Sequence, residues 1–181
     1  MDFSLSKTEQ LFLQMVRSFA QNEVKPLAAE VDEQERFPEE NVAKMAKLGF
    51  FGIPFPVEYG GMGGTNQLYS MAVEELSRVC ATTGVVVSAH TSLCTNPIYE
   101  LGNEEQRKRY LPKLCSGEWL GAFGLTEPNA GTDASAQQTT AVLDGDHYVL
   151  NGSKIFITNA SKAHVFIVMA MTDRSLGTKG I

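Results

Sequence analysis

Through the first two thirds of the chain, apolar positions recur every three or four residues, the period of a helix buried on one face. Phe12, Met15, Val16, Phe19 and Ala20 form the first such stripe. Ser6-Lys7-Thr8-Glu9 precedes it as a capping box, in which the serine and glutamate satisfy each other's backbone N–H groups. Pro26 and Pro38 suit the first turns of two further helices, PLAAEVDEQERF and PEENVAKMAKLG, where a missing N–H costs nothing. FGIPFPVEYGGMGGTNQ, residues 51–67, holds too many helix breakers to continue and reads as a loop. The helical period resumes in LYSMAVEELSRVC through Met71, Val73, Leu76 and Val79. ATTGVVVSAHTSLCTNPIYELG is almost free of charge, and a helix apolar on every side is a buried one. Asn103-Glu104-Glu105-Gln106 then caps a last helix that runs to about Cys115.

The pattern changes at Ser116-Gly117. TTAVLDGDHYVLNGSKIFITN alternates short β-branched and aromatic runs with Asp144-Gly145 and Asn151-Gly152, dipeptides that favour tight hairpins. VFIVMAM, residues 165–171, reads as one more strand of this meander. The sheet would keep an open edge after GTKGI unless more polypeptide follows, so the second domain reads as incomplete. The expected fold is α+β: an all-helical domain over residues 1–118, then the first part of an antiparallel β-barrel-like domain over residues 119–181.

Composition narrows the function. A net charge of −6 leaves no basic face for nucleic-acid phosphates. No apolar run is long enough to span a bilayer, and MDFSLSKTEQ resembles neither a signal peptide nor a transit peptide. Cys80, Cys94 and Cys115 are odd in number and widely spaced, the usage of reduced thiols rather than of a disulfide scaffold. A cytoplasmic setting is therefore expected, or the mitochondrial matrix for a processed eukaryotic form. His90, His147 and His164 share no metal-ligand spacing, so no metal site is expected.

GAFGLTEPNAGTDAS, residues 121–135, is the chemically distinctive stretch. It lacks the lysine and hydroxyl that follow the last glycine of a phosphate-binding P-loop, since Thr132 and Asp133 follow Gly131. A Rossmann turn would need other glycine spacing and a preceding strand. What it offers is glycine-freed backbone N–H groups, the Thr126 and Thr132 hydroxyls, and an apolar wall from Phe123 and Leu125. Such a loop could hold a planar ring with polar edges beside a phosphate. On composition alone, a solvated connection between two domains would explain it as well. A second element, NGSKIFITNA (residues 151–160), changes that balance: it reads as a turn, a strand and an exit, with Thr158 directly after Phe156-Ile157.

TEPNAGTDAS and LNGSKIFITNA together, with PVEYGGMGG, AVEELSRVCATTGVVVSAHTSL and EEQRKRYLPKLCSGEWLGAFG, closely resemble the acyl-CoA dehydrogenase family, and most of all its short-chain (butyryl-CoA) branch. The resemblance implies an N-terminal helical domain, a middle β-barrel-like domain and a C-terminal helical bundle, in a homotetramer assembled in pairs. It also implies FAD as cofactor, acyl-CoA as substrate and an electron-transfer flavoprotein as partner. By this resemblance the loop from Phe123 to Gly131 and Thr132 lies along the flavin. Thr126 and the backbone around Leu125 bond the pyrimidine edge. Phe156, Ile157 and Thr158 close one side of the ring, with Phe156 packed on it and the Thr158 hydroxyl near N5. Thr132 is expected close to both the pyrophosphate and the acyl-CoA. Many relatives carry tryptophan at the Phe156 position and serine at the Thr132 position, changes that keep the aromatic face and the hydroxyl. SAHTSLCTNPIYELG would form the floor of the acyl pocket, with His90 a core or pocket-edge residue.

The implied reaction is α,β-dehydrogenation of a short-chain acyl-CoA to the trans-2-enoyl-CoA. Its base, a glutamate of the C-terminal domain, matches nothing in this chain, so no catalytic residue is assigned. Glu127 is read instead as a carboxylate that shapes the loop, with a solvated surface charge almost as good a reading. These 181 residues alone are expected to be inactive. Two alternatives stand beside this reading: an acyl-CoA oxidase on the same scaffold, and a non-catalytic helical module that binds a protein partner.

Overall fold

A computed structural model describes residues 4–181. Helices α1 (Lys7–Phe19) and α2 (Lys25–Glu33) are joined by a π-helical turn, Ala20–Val24, into one continuous run. The capping box at Ser6 and Glu9 forms as expected. Pro26, however, does not begin a separate helix. Its ring would crowd the carbonyl one turn back in a regular helix, and the wider π turn, closed by Lys25 N–H on Ala20 O, relieves that. The same device recurs further on. Helix α3 (Glu39–Lys47) starts just after Pro38, followed by α4 (Asn66–Ser77) and α5 (Ala81–Ser88). A π-helical segment, Ala89–Thr95, then leads into α6 (Asn96–Leu101), again directly ahead of a proline, Pro97. Helix α7 (Glu104–Cys115) has its expected capping box at Asn103 and Gln106.

The Pro/Gly stretch between α3 and α4 is a loop with two short 3-10 turns, yet it supplies much of the core. Phe50, Phe51, Ile53 and Phe55 are fully buried. Phe50 meets Phe19 edge-on at 5.2 Å, a pair worth about 1 kcal/mol beyond its burial. Val16, Val24, Met45, Leu76 and Val87 pack with Phe50, Phe51 and Ile53 in one cluster, whereas Phe55 packs with Tyr59, Leu111 and Cys115 in a second against α7.

The rest of the chain forms a partial sheet region, and the α+β class is as expected. Strand β1 (Gly121–Gly124) pairs in parallel with β4 (Val165–Val168), and β2 (Thr140–Asp144) pairs antiparallel with β3 (His147–Asn151). The expected meander is thus one hairpin plus one parallel pair, joined where Ala141 N–H donates to Met171 O and Met171 N–H to Thr139 O. Asp144 pairs with His147 across a two-residue turn whose Gly145 has φ +64°, a conformation that favours glycine.

KIFIT does not form the expected strand. Residues 152–155 run without a ladder, and Phe156 (φ +56°) and Asn159 (φ +69°) adopt left-handed conformations that bend the chain out of register. At the seam between helices and sheet, Trp119 stacks on His164 at 6.2 Å while the Lys113 ammonium lies 4.3 Å over the indole.

Candidate functional site

The two segments singled out by sequence meet in space. Phe123, Leu125 and Thr126 from the loop after β1, and Phe156, Ile157 and Thr158 from the bent segment, line a cleft of about 320 Å³. Ala89 and Leu93 complete its wall. Both come from the π-helical segment after α5, whose neighbouring residues His90 and Cys94 contact β1 and β4, His90 at Gly121 N–H and Cys94 at Val165 O. Widened turns of this kind recur at functional sites because they re-aim side chains that a regular helix would stack. Gly131 and Thr132 are not among the lining residues; they sit exposed further along the same loop. A larger groove of about 540 Å³ lies between α6, α7 and β4, but neither loop contributes to it. Convergence of the two segments, rather than volume, marks the site.

Buried contacts hold each wall in place. His90 is fully buried, and burial lowers its pKa to about 4, so the ring is neutral. Its Nδ1 accepts the Gly121 N–H (3.0 Å), and Nε2 donates to Leu114 O (3.1 Å) with Thr95 Oγ1 at 3.2 Å. One side chain thereby ties the start of β1 to the end of α7. Only glycine fits at 121, because a Cβ there would lie 2.5 Å from Cys94 Sγ. Burial pushes the Cys94 and Cys115 thiols up to about 11 and about 12, which suits packing and not nucleophilic chemistry.

Asn159 performs the same task for the second wall. Its buried amide donates to Val86 O and to Gly121 O, both at 3.1 Å, and so fastens the bent segment to α5 and β1. Neither the Asn159 clamp nor the Lys154 contacts described next are visible in the sequence reading, although Lys154 is the lone charge in NGSKIFITNA.

Glu127 is buried, and its carboxylate shapes the loop. It accepts the Gln138 N–H (2.5 Å) on one oxygen, and the Thr139 N–H (2.9 Å) and Lys154 ammonium (2.8 Å) on the other. Burial opposes the charge, yet these donors outweigh it and hold the carboxyl at about 2 against the ordinary 4.5. The unfolded chain therefore takes up this proton first as pH falls. The stability Glu127 contributes is complete above about 4.5 and is lost as pH drops through about 2. Urea unfolding across that window should show an acid limb that Glu127→Gln flattens; an unaltered limb would contradict this role.

The cleft can seat a flat, polar-edged ring. Phe156 presents its ring 90% exposed, at a backbone angle that costs about 1–3 kcal/mol for a non-glycine residue. Among the described residues, the Thr126 and Thr158 hydroxyls and the Thr126 N–H have no partner. An aromatic lid, an apolar wall and free donors on two sides fit a flavin ring.

Comparison with known proteins places the chain in a family. The acyl-CoA dehydrogenase N-terminal domain model matches residues 6–118, and the middle-domain model matches residues 122–181. The short-chain specific acyl-CoA dehydrogenase of Clostridium acetobutylicum is 65% identical over all 181 residues, which cover 48% of that protein. Butyryl-CoA dehydrogenase from Megasphaera elsdenii superposes over 98% of this chain and 47% of its own, with TM-score 0.92 and 46% identity. An acyl-CoA dehydrogenase complexed with FAD, from Bacillus anthracis, matches 94% of this chain and 30% of its own, with TM-score 0.87 and 38% identity. The chain thus spans about half the length of the curated short-chain relatives it matches. With both domain models matched along nearly its whole length, the chain belongs to the acyl-CoA dehydrogenase family.

Proposed function

We propose that these 181 residues supply the helical domain and the flavin-facing part of the middle domain of an enzyme that oxidises a short-chain acyl-CoA to its 2-enoyl-CoA. The domain boundary is placed near Trp119. The observation that carries this reading is the meeting of Thr126 and Thr158 in one cleft under an exposed Phe156. In the proposed arrangement the Thr126 N–H and hydroxyl donate to the pyrimidine edge, and the Thr158 hydroxyl lies near N5. Ala89, Leu93 and Leu125 supply the apolar wall, and the loop bearing Gly131 and Thr132 runs toward the pyrophosphate and the thioester. Bound there, FAD would accept the β hydrogen of the acyl group as hydride while a base removes the α proton. Glu127 is not that base, because a carboxylate held at about 2 by buried donors does not take up so weakly acidic a proton. The base, the tetramer and docking of an electron-transfer flavoprotein all belong to the complete enzyme. We place that enzyme in the cytoplasm, or in the mitochondrial matrix for a processed eukaryotic form.

Thr158→Ala tests the assignment. Loss of one hydrogen bond near N5 should weaken or retune the bound flavin by about 1 kcal/mol. A reduction potential and turnover rate equal to those of the unaltered complete enzyme would contradict the role.

A further inference from the structure

We propose that Lys154 is a positioning residue for the flavin, acting through the peptide group between Leu125 and Thr126. This rests on the proposed flavin site and adds to it a buried cation that sets the strength of one donor. The Lys154 ammonium donates to Leu125 O at 2.9 Å, to Glu127 Oε1 at 2.8 Å and to Gln137 Oε1 at 3.0 Å. An ammonium has three protons, so all three are committed and the group cannot swing away. Its side chain is nearly buried, at 11% exposure, where solvent screens it little.

Leu125 C=O and Thr126 N–H are the two ends of one planar unit and point in opposite directions. A cation on the carbonyl fixes the plane and so aims the N–H away from Lys154. It also draws electron density toward the oxygen, which makes the N–H a stronger donor, since hydrogen bonds in a chain polarise one another. The next peptide is pinned as well, because Ile155 N–H donates to Thr126 O at 2.9 Å. Thr126 therefore sits between two fixed peptides, both held by adjacent residues of the bent segment. Negative charge gathers on the pyrimidine edge when a flavin is reduced, so a strengthened donor there favours the reduced form.

Spectroelectrochemical titration of the complete enzyme tests this. Lys154→Met is expected to retain flavin absorption but to lower the ratio of reduced to oxidised flavin about tenfold at a fixed potential, about 30 mV for a two-electron couple. Lys154→Met enzyme that binds flavin at the unaltered potential overturns the proposal. Should that variant not fold, Glu127→Gln carries the test, because removing the neutralising carboxylate leaves the ammonium's field on the Leu125 carbonyl less opposed. A shift to more positive potential supports the proposal, and no shift or a negative one overturns it. Unaltered enzyme that binds no flavin overturns the proposed function and this inference together. A potential insensitive to either substitution in flavin-loaded enzyme removes only the role of Lys154.

Discussion

Replacing His90 by leucine is expected to destabilise the fold by about 2–4 kcal/mol. Leucine fills much of the volume but leaves the buried Gly121 N–H without its imidazole acceptor, whereas Leu114 O keeps the Gly117 N–H at 3.0 Å. That orphaned N–H costs about 1–3 kcal/mol, and the edge-on packing of Phe51 against the imidazole at 4.8 Å, worth about 1 kcal/mol, is lost as well. A second signature separates this from ordinary core damage. His90 stays neutral in the fold down to about 4, whereas in the unfolded chain it protonates near 6.5. The unfolded state thus binds the extra proton between those values, and stability falls as pH drops through that window. His90→Leu should abolish this slope as well as lower the midpoint of urea unfolding. A variant with unaltered stability, or one that keeps the slope, would contradict the clamp.

Phe156→Ala is expected to do the reverse: to spare the fold and to impair binding. The ring is 90% exposed, so its removal takes little apolar surface out of the core. Stacking of an aromatic side chain on a flat heterocycle is worth about 1–3 kcal/mol, which corresponds to about 5- to 150-fold in affinity. FAD affinity of the complete enzyme, measured by quenching of flavin fluorescence, should weaken by that factor while the urea midpoint stays in place. Loss of stability with unaltered affinity would mean that Phe156 serves packing alone. An exposed phenylalanine held at φ +56° has no evident use in the isolated chain. In the proposed arrangement a flat ring lies against it.

What the sequence disclosed and what it hid follow from how far each interaction reaches along the chain. Both capping boxes were legible because their partners are three residues apart. The Gly145 turn was legible because the turn chemistry lies within two residues. Pro26 misled, since a proline signals the same thing at a helix start and after a π turn, and only Lys25 N–H bonding to Ala20 O distinguishes them. The glycines and prolines of residues 51–67 mark a loop correctly, but they conceal that its aromatic residues fill the core. The two loops that meet in the cleft were legible through motif resemblance. The groups that hold them were not. His90, Lys154 and Asn159 act largely on backbone oxygens and N–H groups 24 to 73 residues away, and every residue but proline carries both. No pattern of letters announces such a partner; only the path of the chain does. The failure of KIFIT to form a strand has the same origin, because Lys154 is drawn to Leu125 O, Glu127 and Gln137 and the chain then turns at Phe156.

The central claim is that the loop at Thr126 and the bend at Thr158 together grip a flavin ring. A crystal structure of the complete enzyme with FAD tests it most directly. The account predicts the isoalloxazine ring in the cleft beneath Phe156, its pyrimidine edge about 3 Å from Thr126 and its N5 beside the Thr158 hydroxyl. A flavin bound at another site, with the cleft filled by protein side chains, would contradict it.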